Sequence, residues 1–152
     1  MESSKLKGKT HSKLYDPFRC SWVAAAPEEI VRQKLLHLMT TQLGYPKALI
    51  AVEVQLSQIP HLRGRSSLPK RRADIICFGK GVHSEHPLYP LLMIECKERV
   101  IGKEAISQVV GYNHFVEAHF VAIAGEGVTH LVYPEEVPFL PTFSQLMERV
   151  CL

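Results

Sequence analysis

Three ionisable residues, Asp74, Glu95 and Lys97, lie in two otherwise apolar stretches of the sequence. The first stretch reads RRADIICF at 71–78, and the second reads LLMIECKE at 91–98. Carboxylate oxygens are ligands that Mg²⁺ prefers, and a bound metal lowers the pKa of its water and offsets charge on a phosphate. A lysine beside the carboxylates can orient that water or stabilise a negatively charged transition state. These residue types in this spacing predict metal-assisted hydrolysis of a phosphate ester.

Alternation along the two stretches predicts that these side chains converge. Side chains of a strand alternate between two faces, so Glu95 and Lys97 share one face and Cys96 turns away. Same-face neighbours are about 7 Å apart, which leaves the Cys96 carbonyl near the same point. Asp74 occupies a strand of matching phase, so the predicted metal ligands are Asp74, Glu95 and the Cys96 carbonyl. The competing interpretation is a Glu95–Lys97 ion pair at a strand end, a common feature that contributes little to stability.

The hydrophobic pattern predicts an α-β-β-β-α-β-β-α order around this hairpin. The predicted elements are a helix at 27–43, strands at 48–56, 72–78 and 91–97, a helix at 103–117, strands at 119–124 and 128–133, and a helix at 142–151. The predicted buried stripe of the first helix consists of Ile30, Val31, Leu35, Leu38, Met39 and Leu43. The residues of the first strand that are predicted to face one way are Ile50, Val52, Val54 and Leu56. Residues 14–26 are predicted to be an extended lead-in.

The net charge is only +3, but the basic residues are clustered. We predict that residues 1–14 form a flexible basic arm, which carries Lys5, Lys7, Lys9 and Lys13. A second cluster, which contains no acid, consists of Arg63, Arg65, Lys70, Arg71 and Arg72. Clustered positive charge near a hydrolytic site favours a polyanionic partner, so we predict that the second cluster contacts nucleic acid. The alternative is that both clusters are only solvated surface.

Length and composition indicate one globular α/β domain, which we place at 15–152. The chain has 152 residues, of which 46% are apolar, enough for one core. The four cysteines show no CxxC or Cys/His spacing, which argues against a zinc site. No apolar run approaches the roughly 18 residues of a membrane span, and no signal-peptide pattern is present. We therefore expect a cytoplasmic location with reduced thiols.

The sequence resembles the PD-(D/E)xK nuclease superfamily, and within it the N-terminal nuclease domain of type I restriction enzyme R subunits, in a short stand-alone form. The matching pieces are PEEIVRQ at 27–33, VEVQL at 52–56, RRADII at 71–76, LLMIECKE at 91–98 and QVVGYN at 108–113. The D…ExK pattern alone is a weak motif, whereas five pieces in order are a specific combination. The resemblance implies a restriction-endonuclease-like core, with a central mixed β-sheet flanked by helices.

The resemblance also implies roles for individual residues. Asp74 and Glu95 would bind Mg²⁺ or Mn²⁺ together with the Cys96 carbonyl, and Lys97 would be the catalytic lysine. The family's QxxxY element, thought to orient the site and contact DNA, matches Gln108 and Tyr112.

An acid of the PEE segment would enter the site from the first helix. Glu29 is the preferred candidate, and Glu28 remains open as a substitute. One departure from the family is Ala124-Gly125, where the family often has Asn-Gly. This departure puts a polar contact from that turn in doubt.

Two hypotheses about function follow from these residues. The first is a Mg-dependent endonuclease, a hydrolase of DNA phosphodiester bonds used in restriction or DNA processing, with DNA and a larger restriction or repair complex as partners. The second is a non-catalytic nucleic-acid-binding accessory module on the same fold. The chain lacks a GxxxxGK[ST] phosphate-binding loop, so no nucleotide-driven motor is expected in it. An intact D…ExK pattern favours the first hypothesis, since binding alone does not require it.

Overall fold

The computed structural model describes residues 12–98 and 102–151 and contains the predicted order of elements. The strands and helices are β1 Lys13–Asp16, β2 Ser21–Ala24, α1 Pro27–Thr41, β3 Ile50–Gln55, β4 Arg72–Lys80, β5 Leu88–Cys96, α2 Lys103–Val116, β6 Phe120–Gly125, β7 Val128–Tyr133 and α3 Phe143–Val150. Of the predicted basic arm, residues 1–11 lie outside the described residues, and Lys13 and Leu14 belong to β1. Among the helices described, none is long and apolar enough to span a membrane.

The central sheet has five strands in the order β3-β4-β5-β6-β7. β5 and β6 are parallel and the other neighbours are antiparallel, because α2 crosses over between β5 and β6. One core packs α1 and α3 against the sheet through Leu36, Met39 and Leu146. The second core packs α2 against the sheet through Val109 and Val116. This mixed sheet with helices confirms the predicted fold class.

The predicted extended lead-in is instead a two-stranded ribbon, β1–β2, joined by a turn at 17–20. Asp16 is buried and its Oδ1 accepts a hydrogen bond from the Phe18 N–H at 2.8 Å, which closes the turn. Cys20 has a φ of +51° at the end of the turn. The Asp16-Pro17 pair is a turn signal that the sequence interpretation did not extend to a strand on each side.

The predicted alternation of β3 is wrong from Glu53 onward. Glu53 has a φ of +55°, a left-handed conformation that is uncommon outside glycine. Ile50 and Val52 accordingly pack with the α1 core, whereas Val54 packs with the α2 core. One left-handed residue inside the strand exchanges the faces of the residues that follow it.

The predicted stripe of α1 is also partly wrong. Ile30 is 38% exposed, whereas Leu36, which the stripe omitted, is buried. The buried face of the helix continues toward its N-terminus through two charged residues, Arg32 and Glu29. Charged residues on this face look like surface residues in the sequence, although here they are paired with each other.

Candidate active site

Three acidic residues lie in a row across β3, β4 and β5. The pairs on either side of Glu53 place it opposite Asp74. Continuing the β4–β5 register by one residue from Ile75 and Ile94 places Asp74 opposite Glu95. Side chains directly opposite on neighbouring strands have Cβ atoms about 5 Å apart. The acid row therefore concentrates negative charge at one end of the sheet.

Asp74 accepts hydrogen bonds from two different elements. Its Oδ2 accepts from the Cys96 N–H at 2.8 Å, and its Oδ1 lies 3.3 Å from Arg32 Nη1. Burial raises the pKa of Asp74, against the hydrogen bond from Cys96 and the charge of Arg32, which lower it. A buried carboxylate of this kind gains from a nearby cation, because its charge is poorly solvated.

Glu95 is more buried than Asp74 and has one oxygen without a partner. Its Oε1 accepts a hydrogen bond from Arg71 Nη2 at 2.7 Å. Its Oε2 is buried and lacks a hydrogen-bond partner within the described part of the chain. Burial raises the pKa of Glu95, and the charge of Asp74 raises it further. A buried carboxylate oxygen without a hydrogen-bond partner, on a residue opposite a second acid, is a feature that a cation would satisfy.

Lys97 follows β5 and is half-buried beside the two acids. The charge of Lys97 lowers the pKa of Asp74 and of Glu95, against the burial that raises both. Its main-chain N–H donates to the Ala124 carbonyl at 2.7 Å, which fixes the end of β5 against β6. The structure therefore places Asp74 opposite Glu95, with Lys97 acting on both through its charge, and a catalytic role for these residues stays a prediction.

Glu29 reaches this cluster through Arg32. Arg32 donates to both Glu29 oxygens, at 3.0 Å from Nε and 2.8 Å from Nη2, and its Nη1 contacts Glu53 as well as Asp74. Burial would lower the pKa of Arg32, but its hydrogen bonds to these carboxylates raise it overall. Glu28 is exposed, so of the two acids left open by the sequence it is Glu29 that lies in the network. Both Glu29 oxygens accept hydrogen bonds from arginine, and a catalytic role for Glu29 stays a prediction.

Tyr112 of α2 lies against the other side of the cluster. The guanidinium carbon of Arg71 is 4.2 Å from the centre of the Tyr112 ring. The Tyr112 hydroxyl is buried without a partner among the described residues, and burial raises its pKa to about 12. Gln108, one turn earlier, is exposed. Of the predicted Gln108–Tyr112 pair, only Tyr112 contacts the cluster through Arg71, and a role for Gln108 stays a prediction.

The predicted nucleic-acid-binding residues have different surroundings. Arg71 contacts Glu95, and Arg72 Nη1 is 3.9 Å from Glu53 Oε2, so these two residues adjoin the acid row. Arg65 Nη1 lies 3.7 Å from Oε1 of Glu117, the residue that follows α2. Arg63 and Lys70 are exposed. The prediction that the five residues contact nucleic acid therefore stays open, with Arg71 closest to the chemistry.

Arg32 and Glu53 are the site residues that the sequence interpretation missed. The buried face of α1 has the 3-4-3 spacing of one helix face, at Glu29, Arg32, Leu36 and Met39. This spacing is a signal that Arg32 belongs to the buried side. Glu53 carries no comparable signal, because its inward position depends on the left-handed backbone of that single residue.

The residues of the acid row are compatible with a magnesium-like cation. Among the described residues, no group of three or more His, Cys, Asp or Glu side chains could hold a metal ion. Mg²⁺ commonly uses only one or two carboxylates and keeps several waters, so Asp74 and Glu95 with a main-chain carbonyl are sufficient in number and type. The unpartnered Oε2 of Glu95 is the position that fits best.

The comparison with protein families agrees with this geometry. A family model described as type I restriction enzyme R protein N terminus matches residues 27–139, more than half of the chain. The match covers α1 and all five strands of the central sheet. No curated protein and no solved structure shows a match. The chain therefore belongs to the family of type I restriction enzyme R protein N-terminal domains, which confirms the resemblance drawn from its motifs.

Proposed function

We propose that the chain is a metal-dependent nuclease that hydrolyses DNA phosphodiester bonds, in restriction or DNA processing. The observation that carries the proposal is the position of Asp74 opposite Glu95, with the Lys97 charge acting on both carboxyls. Membership of a restriction-related family supports the same chemistry. DNA is the proposed substrate, and a larger restriction or repair complex is the proposed partner.

The residues of the site have distinct proposed roles. Asp74, Glu95 and the Cys96 carbonyl would hold Mg²⁺ or Mn²⁺. When bound, the metal would lower the pKa of a water and offset charge on the scissile phosphate. Lys97 would donate a hydrogen bond to the attacking water or to the phosphate oxygens as their charge increases.

Two neighbouring groups would keep these residues in place. The Cys96 N–H holds one Asp74 oxygen at 2.8 Å and so fixes the carboxylate relative to β5. Arg32 is anchored by Glu29 and limits the movement of Asp74 from the opposite side. Fixed carboxylates bind a cation with less loss of conformational freedom, which favours catalysis by positioning.

Nicking of supercoiled plasmid in Mg²⁺ or Mn²⁺ tests the proposal. We expect Asp74→Asn and Lys97→Met to reduce the nicking rate by about 100-fold or more, because each removes a group that acts in the transition state. Glu148→Gln, an exposed acid on α3, is the matched control and should cleave like the wild type. Calorimetric titration with Mn²⁺ should show binding that Asp74→Asn abolishes. Equal cleavage by wild type and Asp74→Asn, with contaminating nuclease excluded, would show that the acid row is not catalytic.

A non-catalytic nucleic-acid-binding module is the second candidate. The observation in its favour is that each central carboxylate already has an arginine partner, Arg32 for Asp74 and Arg71 for Glu95. This candidate predicts DNA binding that weakens steeply with salt and no cleavage in either metal. It also predicts that Asp74→Asn leaves DNA affinity unchanged.

A further inference from the structure

The outward face of the β1–β2 ribbon carries two exposed aromatic side chains. Tyr15 and Trp22 are directly opposite in the register, and they are 48% and 68% exposed. Their ring centres are 5.5 Å apart in an edge-to-face arrangement. Lys13 and Ala24 are the next pair on the same face, and both are exposed. The opposite face carries Leu14, Val23 and Asp16, which are buried or half-buried.

The stability of the ribbon does not account for this aromatic face. A cross-strand aromatic pair contributes at most about 1 kcal/mol, and polar residues of high strand propensity would serve at an outward position. The ribbon packs on the domain through its opposite face, which carries Leu14, Val23 and Asp16. Large aromatic side chains left in solvent on an anchored element are more typical of a binding surface.

The ribbon is anchored, so its aromatic face has a fixed position relative to α1. Arg19 in the turn pairs with Asp16 and with Glu29 at the start of α1. The Ala25 N–H donates to the Ser12 carbonyl at 2.8 Å and closes the open end of the ribbon. Lys47 lies 5.5 Å from the centre of the Phe18 ring in the turn. Two segments outside the ribbon therefore hold its turn, the start of α1 at Glu29 and the segment that contains Lys47.

The same anchor leads to the acid row. Arg19 and Arg32 both pair with Glu29. Arg32 Nη1 in turn lies 3.3 Å from Asp74 Oδ1. Three successive ion pairs therefore connect the ribbon turn to the proposed metal ligand.

The charge around the ribbon suits a polyanion. Lys13 is on the aromatic face, and the sequence just before it, KLKGKTHS at 5–12, has three lysines and no acid. The described residues of that face include no acid either. Basic residues beside exposed aromatic rings are the combination by which proteins hold single-stranded nucleic acid, through phosphate contacts and base stacking.

We propose that Tyr15 and Trp22 form a stacking platform for unpaired bases of single-stranded DNA. The proposal deepens the nuclease function and depends on DNA being the substrate. Bases inside a continuous duplex are stacked on each other, and their faces are not available to these rings. The preferred substrate is therefore single-stranded DNA, or duplex DNA with an unpaired segment next to the cleaved bond.

The single tryptophan of the chain makes a direct test possible, because Trp22 is the only source of tryptophan fluorescence. The full chain is titrated in EDTA with oligo(dT) and with an abasic oligonucleotide of equal length, which keeps the phosphates and lacks the bases. We expect oligo(dT) to quench the fluorescence and to bind about tenfold more tightly than the abasic strand. This ratio corresponds to about 1.4 kcal/mol.

Variants separate stacking from charge. Trp22→Thr keeps high strand propensity and should remove most of the preference for oligo(dT) over the abasic strand, measured by anisotropy of a labelled oligonucleotide. Trp22→Phe keeps a ring and should retain most of it. If Trp22→Phe folds and loses the preference as fully as Trp22→Thr, stacking is not the cause.

The stacking platform is refuted if the chain binds oligo(dT) and the abasic strand with equal affinity and oligo(dT) does not quench the Trp22 fluorescence. A change of self-association in Trp22→Thr, with DNA binding intact, also overturns it and identifies a protein interface. Glu148→Gln, the exposed control on α3, should quench like the wild type. Quenching without metal-dependent cleavage would refute the nuclease function while leaving the platform in place.

Discussion

Replacing Glu29 by glutamine should destabilise the protein, because Arg19 and Arg32 then lose the carboxylate that they share. Arg32 donates two hydrogen bonds to Glu29, at 3.0 and 2.8 Å, and it is only 7% exposed. Water cannot replace the lost charge at a side chain this buried. Arg32 keeps Glu53 and Asp74 as partners, but it loses both hydrogen bonds to Glu29. Removing one member of a buried ion network is destabilising, because the charges that remain are less well compensated.

The pKa of Glu29 gives the size of the expected loss of unfolding free energy in Glu29→Gln. Burial alone would raise it, but hydrogen bonds from Arg32, Arg19 and Gln33 outweigh burial and lower the pKa from 4.5 to about 2. At about 1.4 kcal/mol per pKa unit, this shift corresponds to about 3 kcal/mol. The Arg19 side chain is 24% exposed, so solvent screening makes that figure a ceiling, and we expect a loss of about 2 kcal/mol at pH 7.

The sign of the pH dependence follows from the lowered pKa. A carboxyl whose pKa is lower in the folded state stabilises the protein above its unfolded value of 4.5, and that stabilisation is lost as the pH falls toward 2. The difference in unfolding free energy between wild type and Glu29→Gln should therefore be largest at neutral pH. It should shrink between about pH 5 and pH 3.

Urea unfolding at pH 7, 5, 4 and 3, followed by circular dichroism, measures this difference. Glu28→Gln is the matched control, because Glu28 is the preceding residue in the same first turn of α1 and is exposed. It should change the free energy by only a few tenths of a kcal/mol, through the helix dipole. The reasoning fails if the two variants unfold at the same urea concentration at pH 7. It also fails if the cost of Glu29→Gln does not depend on pH.

Substitutions at two further positions, Tyr112 and His61, test other parts of the structure. Tyr112→Phe keeps the ring beside Arg71 and removes a buried unpartnered hydroxyl, so its urea midpoint should equal or exceed that of the wild type. Tyr112→Leu removes the ring and should weaken DNA binding about threefold by anisotropy; equal binding would exclude a role for the stacked arginine. Burial lowers the pKa of His61 below 6.5, so stability should fall as pH drops below 6.5, and His61→Phe should flatten the fall. His114→Gln, at an exposed histidine, is the control and should keep the dependence of stability on pH of the wild type. If His61→Phe shows that same pH dependence, the prediction is contradicted.

The elements and the central acids could be predicted because their signals are local. Periodicities of two and of 3.6 residues identified the three α-helices of the described chain and the five strands of the central sheet, but not its short 3-10 helices. Asp74 and Glu95 were recognisable as charged residues inside apolar strands. Strand phase then predicted that they meet, and the antiparallel register places them opposite each other.

The positions of Arg32, Glu53 and Arg71 could not be predicted in the same way. The sequence pattern assigns Arg71 to a basic loop predicted to contact nucleic acid, yet it contacts Glu95 and Tyr112, which are distant from it in the sequence. Arg32 is not part of the buried stripe predicted for α1, and its burial depends on carboxylate partners that converge on it from α1, β3 and β4. A charged side chain can be buried only where such partners converge, and that depends on the tertiary fold.

The sequence by itself determined the fold class, the central acids and the family of this protein, because each depends on residue type and short-range spacing. The tertiary structure decided which cations surround those acids and that Glu29, not Glu28, anchors them. It also decided that Glu53 joins the acid row and that Tyr15 and Trp22 share an exposed face. These features depend on strand register and on a single left-handed residue, which result from pairing between distant segments and leave no periodic pattern in the chain.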